Sequence, residues 1–550
     1  MATLRGADIL ARALAQVGAR QVFSLSGNHI MPVYDAAIDA RLAITHVRHE
    51  GAAVHMADAW GRLTGAPGVA LLTGGPGHAN GIGALYTALA SESPMVMLSG
   101  HAPLAELGRG SFQEMAQSDL AAPVTKAAWT AQRAEALGED IARAMRIARA
   151  GRPGPVHVSL PFDLLEAKVA AQAPVPDTAF QPLVQPLADA EADTALAEIR
   201  RARRPLIVLG PALANRRSQR ERLARATGAP VVCMESPRGV NDPCLGAFAD
   251  VLKEADLIVL VGKQPDFTLR FGAAPAVAAG CRFVVIDPDA EALARARRSL
   301  GESRVVLAAV ADSAAAVDAL AARAGSGPAE TDWSKEVEAA VRYRPAEWAR
   351  LVSRADAPAH PVEVGRAAQK LLDRSPDAVL VVDGGEFGQW AQACVSAPTR
   401  IINGVGGSIG SGIPFALASR IARPGAPVVA LVGDGTFGFH MAEFDTAARA
   451  GLAFVAIIGN DACWNAEHQI QLRAYGRDRA HGCELLPARY DQVVTALGGH
   501  GECVTSAAAL PAALDRAAAS GKPACVNVMI ERLPAPVVSR AQAAPAGAAH

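Results

Sequence analysis

Three stretches of the chain repeat one pattern, a short run of β-branched or other apolar residues followed by a turn and an Ala-rich segment with helical spacing. In the first stretch the runs Gln21–Leu25, Ala43–Val47, Val69–Leu72, Met95–Ser99 and Val156–Ser159 predict strands, separated by helices such as Gly51–Arg62. The second carries strand-like Pro205–Leu209, Pro230–Met234, Leu257–Val261 and Phe283–Asp287. The third carries Ala378–Asp383, Val428–Gly433, Phe454–Gly459 and Ala524–Ile530. Strands alternating with helices predict parallel sheets wrapped on both faces, so the fold class is α/β, with doubly wound parallel sheets. Periodicity lapses in Ala170–Leu187 and from about Arg344 to Pro361, which read as linkers. The chain thus divides into domains over residues 1–180, 188–343 and 360–533. Three domains suit a chain of 550 residues, since one core stops growing near roughly 250–300 residues. Pro534–His550 is Ala/Pro-rich without a core pattern and reads as a flexible tail in preference to a lid.

Charge narrows the partners. The 53 basic and 54 acidic residues give a formal charge of −1, which offers no attraction for nucleic acid or an anionic membrane surface. No stretch reaches the roughly 18 apolar residues of a spanning helix, and Met1–Leu10, with Arg5 and Asp8, lacks a signal-peptide run. A soluble, cytoplasmic protein is expected. The eight cysteines are scattered, without C-x-x-C or zinc-site spacing, and read as reduced structural thiols.

The chemistry begins where Val428–Val432 runs into Gly433-Asp434-Gly435-Thr436-Phe437-Gly438, with helix-like His440–Arg449 behind it. This fits the G-x-G-x-x-G of dinucleotide-binding folds, but Asp434 stands inside the glycine turn, where a bare carboxylate repels a pyrophosphate held at the helix N-terminus. A divalent cation between the two removes the repulsion, because Mg²⁺ commonly binds through one or two carboxylates plus phosphate oxygens. The neighbouring strand, ending in Asn460-Asp461, is placed to supply a second oxygen ligand.

A G-D-G followed at this distance by a paired-asparagine motif, here Asn460-Asp461, resembles the thiamine-diphosphate enzymes. The resemblance implies a diphosphate bound by Gly433, Gly435, Thr436 and Asn460, and Mg²⁺ held by Asp434, Asp461 and the backbone carbonyl of Cys463. A carboxylate at Asp461 departs from the family amide and adds a negative charge while keeping a hard oxygen. Thiamine chemistry also needs a carboxyl against the aminopyrimidine ring. Glu50, at a strand end and the start of a helix, could be only a helix-dipole partner. However, Arg48-His49-Glu50-Gly51-Ala52-Ala53, then Thr73-Gly74-Gly75-Pro76-Gly77-His78, then Ser111-Phe112-Gln113-Glu114, resemble the pyrimidine-binding domain of the acetolactate-synthase-like superfamily. Over about residues 1–530 the order implied is pyrimidine-binding, middle and diphosphate-binding domain. Glu50 of one subunit then meets the cofactor held by another, so a homodimer or homotetramer with active sites at subunit interfaces is implied. Gly407 falls where a carbonyl accepts from the cofactor's amino group, Ile409 where a bulky residue props its bend, and Gly384 and Gly385 where N–H groups reach the diphosphate.

Within the superfamily, Ser26-Gly27-Asn28-His29-Ile30, Glu50, Gln113, Glu443-Phe444-Asp445-Thr446 and Pro523–Val528 resemble benzaldehyde lyase, while Leu257–Gly272, with Val261-Gly262-Lys263-Gln264-Pro265-Asp266-Phe267 and Phe271-Gly272, is similar to the middle domain of 2-hydroxyacyl-CoA lyases and oxalyl-CoA decarboxylases. Cleaving a 2-hydroxy ketone requires removal of its hydroxyl proton, a task for an imidazole titrating near neutrality. His29 is the candidate, with Glu50, Gln113 and His78 as the other catalytic candidates. The resemblance therefore implies a carbon–carbon lyase or carboligase acting on 2-hydroxy ketones or aldehydes through an enamine intermediate. Gly388 and His78 depart from the aryl-specific enzyme. Competing readings are a 2-hydroxyacyl-CoA lyase or oxalyl-CoA decarboxylase, an acetolactate synthase or 2-oxo-acid decarboxylase, and a protein that binds the cofactor without turnover. FAD or ADP in the middle domain is not expected, and Lys263 with its sparse neighbouring arginines makes a poor phosphate site.

Overall fold

A computed structural model describes residues 3–171, 173–325 and 331–540. It is an α/β protein with three parallel sheets. The first has six strands in the order Ala43–His46, Gln21–Ser24, Gly68–Leu72, Met95–His101, Pro155–Pro161 and Ala127–Thr130. The second has five, from Val231–Cys233 through Pro205–Leu209, Leu257–Val261 and Arg282–Asp287 to Val305–Val310. The third repeats the six-stranded design: Thr399–Ile402, Val379–Val382, Val428–Gly433, Val455–Asn460, Ala524–Met529 and His500–Val504. Central strands read as unbroken apolar runs because helices cover both faces. All five residues of Leu257–Val261 are buried.

The order of strands fixes where ligands can sit. In the third sheet the chain leaves Val379–Val382 for one edge and returns on the other side at Val428–Gly433. The crevice beyond the carboxyl ends of these two strands is the switch point at which open α/β sheets bind ligands. Asp383-Gly384-Gly385 and Asp434-Gly435 lie there. The first sheet switches between Gln21–Ser24 and Gly68–Leu72, whose ends lead into His29 and into Thr73–His78.

The first and third domains share one apolar core. Helix Glu50–Thr64 packs on helix Gly412–Ala422, where His55 meets the Phe415 ring edge-on at 5.8 Å and the Arg62 guanidinium lies 5.0 Å from its centre. Glu443 reaches across this seam, accepting hydrogen bonds from the Arg48 N–H (3.0 Å), the His49 N–H (3.1 Å) and the Thr446 hydroxyl (2.6 Å). Glu443→Ala would strand two backbone donors. It should cost about 1–3 kcal/mol, read as a lower melting temperature, and an unchanged one would reduce the contact to a packing accident.

Pro534–Arg540, expected as the start of a flexible tail, is instead ordered. The Asn465 amide donates to the Leu533 carbonyl (2.8 Å), the Trp390 indole to the Pro534 carbonyl (2.9 Å), and the Arg540 N–H to Asp250 (2.8 Å). Side chains of other domains satisfy this segment's backbone, so no periodic pattern of its own announces it. The rest of the expected tail, 541–550, lies outside the described residues.

Candidate active site

At the switch point of the third sheet a cleft of about 270 Å³ is lined by Gly384, Gly385, Gly407, Ile409, Gly433, Asp434, Gly435, Thr436, Asp461 and Cys463. Glycine is required here for space and for backbone. Gly385 has φ +81°, and a Cβ on it would enter open cleft, while a Cβ on Gly435 would stand 2.8 Å from the Trp464 ring. Asp383, at the floor, accepts from the N–H groups of Gly384 (2.7 Å), Gly412 (2.6 Å) and Gly410 (3.1 Å), and so ties the two glycine loops together. Burial lifts its pKa to about 6.

Asp434 is buried and its Oδ2 has no hydrogen-bond partner. Burial raises its pKa to about 6, opposed by N–H groups of Gly435 and of the Ala462–Cys463 turn. Asp461 is pushed up to about 7, first by burial and then by Asp434. Two carboxylates in one dry cleft disfavour each other's charge, and a shared cation would reverse that. Arg532 fixes the turn by donating to the Asp461 (3.0 Å) and Ala462 (3.1 Å) carbonyls. Asn460 is corrected as a cleft residue. Its amide lies behind the strand end, donating to the Ala488 carbonyl and Asn527 (both 3.1 Å) and accepting from the Ala462 N–H (3.2 Å), so its polar atoms serve the turn.

The other candidates gather at the switch point of the first sheet. Glu50 begins its helix buried, with Oε2 accepting from the Asn80 amide (3.0 Å), and a Cβ on Gly77 would come within 3.3 Å of its other oxygen. His29 Nδ1 lies 3.4 Å from the Thr73 hydroxyl and its ring stacks on Phe112 at 6.1 Å. Burial, then nearby His101, lowers its pKa, leaving the imidazole neutral at pH 7. Gln113 is held at φ +57° and packs against Gly75. Glu114 ties down this loop by accepting from the N–H groups of Gly108, Gly110 and Ser111. His78 does not belong with them. It is fully buried, its Nδ1 3.0 Å from the Ser99 hydroxyl and its ring 4.6 Å from that of His157, and burial lowers its pKa to about 4. It has no surface to offer a substrate.

Comparison with known proteins identifies the family. The family model for the N-terminal TPP binding domain of thiamine pyrophosphate enzymes matches residues 4–120, that for their central domain 192–320, and that for their C-terminal TPP binding domain 383–528. An acetolactate synthase large subunit, IlvG, of Mycobacterium tuberculosis is 36% identical over 543 residues, covering 96% of each chain. The 2-hydroxyacyl-CoA lyase 2 of Homo sapiens is 30% identical over 543 residues, 90% of this chain and 84% of that one. The chain belongs to the thiamine pyrophosphate enzymes. A 2-hydroxyacyl-CoA lyase of Arabidopsis thaliana is 26% identical over 556 residues, 96% of each chain. Our protein is accordingly a thiamine-diphosphate-dependent carbon–carbon lyase or carboligase.

The cleft of this thiamine pyrophosphate enzyme fits the cofactor's anionic end. Gly385 and Gly433 leave open the space a side chain would fill, and the unpartnered Asp434 oxygen beside Asp461 calls for a cation. Sequence reasoning missed several residues of the cleft. Glu386 is buried at the start of helix Gly385–Cys394 with a raised pKa, and Arg238 of the middle domain stands 3.4 Å from it. Asn403 and Gln389 have buried amide oxygens without partners. A glutamate after two glycines was a visible signal, whereas Arg238, some 150 residues away in another domain, carried none. Lys263 is buried and donates to Asp266 and the Gln264 carbonyl, both at 2.8 Å.

Proposed function

We propose that this enzyme cleaves and forms the carbon–carbon bond of 2-hydroxy ketones or aldehydes, using Mg²⁺ bound by Asp434, Asp461 and the Cys463 carbonyl. The observation that carries the reading is His29: a buried imidazole beside Thr73 and Phe112, its pKa lowered by burial, on a loop at the first sheet's switch point near the segments that carry Glu50 and Gln113. Thiamine diphosphate held by the Gly433–Thr436 and Gly384-Gly385 turns would supply a carbon nucleophile and an electron sink. Glu50, oriented by Asn80, hydrogen-bonds the aminopyrimidine. His29 accepts the hydroxyl proton as the bond breaks and returns it to the carbonyl oxygen on ligation. Gln113 adds a polar contact to the substrate oxygen.

The site is completed by a second copy of the chain. Among the described residues, the cleft that holds Asp434 is lined by the middle and third domains alone, and Glu50 lies outside it. A homodimer or homotetramer brings one subunit's Glu50 to the other's cleft. We also place the enzyme in the cytoplasm: its eight cysteines are all free, which suits a reducing compartment.

The 36% likeness to an acetolactate synthase favours a second reading, in which a 2-oxo acid is the donor. His29→Ala separates the two. It should depress cleavage and ligation of 2-hydroxy ketones by a similar factor, on the order of 10²–10⁴, while decarboxylation of pyruvate, which removes no hydroxyl proton, suffers much less. A product screen with benzoin, acetoin, pyruvate and a 2-hydroxyacyl-CoA supplies the donor. An unchanged ratio of lyase to decarboxylation rates makes His29 structural and promotes the acetolactate-type reading.

A further inference from the structure

The cleft carries a charge imbalance that a metal alone does not resolve. Four carboxylates line it, Asp434, Asp461, Glu386 and Glu467, and among the described lining residues Arg238 is the one basic side chain. Asp434 and Asp461 have a divalent cation to neutralise them, and Glu467 is exposed to water. Glu386 has neither. It is 5% exposed and stands in the first turn of helix Gly385–Cys394, whose N-terminus, with Gly384 and Gly385 free of side chains, faces the same cleft. A helix N-terminus attracts an anion. A carboxylate in its first turn therefore competes with a diphosphate for that end and also repels it.

What counters Glu386 comes from another domain. Burial raises its pKa, while Arg238, 3.4 Å away, and then the Ala535 N–H favour its charged form. Arg473 and Glu467, both on helix Asn465–Tyr475, follow with smaller effects of opposite sign. The Arg238 backbone is fixed by a tight turn. Its N–H donates to the buried Ser236 hydroxyl (3.2 Å), and the Gly239 N–H donates to the Ser236 carbonyl (3.0 Å). Gly239 has φ +56°, and a Cβ on it would stand 2.0 Å from the Thr268 carbonyl oxygen, so the turn admits only glycine there. The Arg238 side chain stays 45% exposed, which leaves the pair partly screened by water.

We propose that Arg238 is a positioning residue for the cofactor: as the counter-ion of Glu386 it keeps that carboxylate from competing for the helix N-terminus, and so leaves the Gly384 and Gly385 N–H groups to the diphosphate. The middle domain thereby takes part in cofactor retention without touching the reacting atoms. This rests on the cleft assignment above and is independent of the substrate. Thiamine diphosphate is titrated calorimetrically, at saturating Mg²⁺, into the full-length chain stripped of cofactor. The parent is compared with Arg238→Ala, Arg238→Lys, Glu386→Gln and the double variant Arg238→Ala/Glu386→Gln. Arg238 is half-exposed, so its variants should fold as the parent does.

Arg238→Ala should bind the cofactor about ten-fold or more weakly, because it leaves a buried carboxylate without its partner. Arg238→Lys keeps the charge and should stay near the parent. Glu386→Gln should bind at least as tightly as the parent, and the double variant should return to the Glu386→Gln affinity. That recovery separates a charge effect from damage to the fold, since a second substitution does not mend a disturbed structure. Three outcomes overturn the proposal: Arg238→Ala binds like the parent; Arg238→Lys binds as weakly as Arg238→Ala; or the double variant stays as weak as Arg238→Ala, which would make Arg238 a direct ligand of the diphosphate. In each of these the parent still binds and the cleft assignment stands. A parent that binds no thiamine diphosphate with Mg²⁺ present sinks the cleft assignment, and the role of Arg238 with it.

Discussion

Asp434→Ala should leave the protein folded but unable to retain thiamine diphosphate, with affinity reduced a hundredfold or more, on the order of 3 kcal/mol. Asp434 is the buried carboxylate whose Oδ2 has no protein partner, and it faces Asp461 across the end of the same cleft. Without a cation the two carboxylates and a diphosphate repel one another. With one, each carboxylate becomes a ligand and the diphosphate a third. Removing Asp434 therefore removes metal and cofactor together, and both should be absent from the variant after gel filtration. A variant that holds the cofactor as tightly as the parent would show that the glycine turn alone binds the diphosphate. Asp434→Asn, which keeps one oxygen, should fall between.

The same pair sets a pH dependence. The folded-state pKa values of Asp434 (about 6) and Asp461 (about 7) lie above those of the unfolded chain. Between about pH 4 and pH 7 this pair thus holds more protons in the metal-free folded protein than in the unfolded chain, and the pair's own contribution to stability falls as pH rises through that window. Cation binding requires both groups deprotonated, so Mg²⁺ affinity should rise up to about pH 7 and then level off. Melting curves at about pH 5 and pH 8, with and without Mg²⁺ and thiamine diphosphate, read both effects. The cofactor pair should stabilise more at the higher pH.

What the sequence made legible is physical in origin. Central strands such as Leu257–Val261 and Val428–Gly433 are buried on both faces, so an unbroken apolar run is a sufficient sign of them. The strands that escaped, Ala127–Thr130, Val305–Val310, Thr399–Ile402 and His500–Val504, all stand at sheet edges. Edge strands are half-wetted and admit polar residues such as Arg400 and Glu502. Val305–Val310 merges into the Ala-rich helix after it, so composition does not mark its end. The glycine turns were legible because a left-handed or crowded backbone forces that residue type. Side-chain direction was not: Asn460 and His78 both sit in recognisable motifs, yet one points behind the turn and the other into the first domain's interior. Arg238 reaches the cleft rim only through the packing of the middle domain, and no short-range pattern encodes that contact.

Glu50→Gln should preserve the fold and the bound cofactor while slowing exchange of the cofactor's C2 proton by roughly 10²–10⁴-fold, the usual worth of a positioned acid or base. The fold should survive because glutamine matches the shape of glutamate and still offers Asn80 an oxygen, so the 3.0 Å contact can persist. Cofactor retention should survive because the diphosphate and metal are held by the Asp434 cleft, and Glu50 lies outside it in the same chain. What is lost is an ionisable carboxyl against the aminopyrimidine ring, since an amide cannot exchange a proton with the ring nitrogen. Burial beside Gly77 and Asn80 strengthens that hydrogen bond by keeping water from competing. Exchange is measured by acid-quenched NMR in D₂O, independently of any substrate. A mixture of Glu50→Gln with Asp434→Ala adds a test of the subunit arrangement. If each active site takes Glu50 from one chain and Asp434 from another, hybrid dimers hold one intact site, so mixing two inactive variants restores up to half of the parental exchange rate per hybrid. No recovery on mixing, in subunits shown to exchange, would place Glu50 and Asp434 at the same site within a single chain.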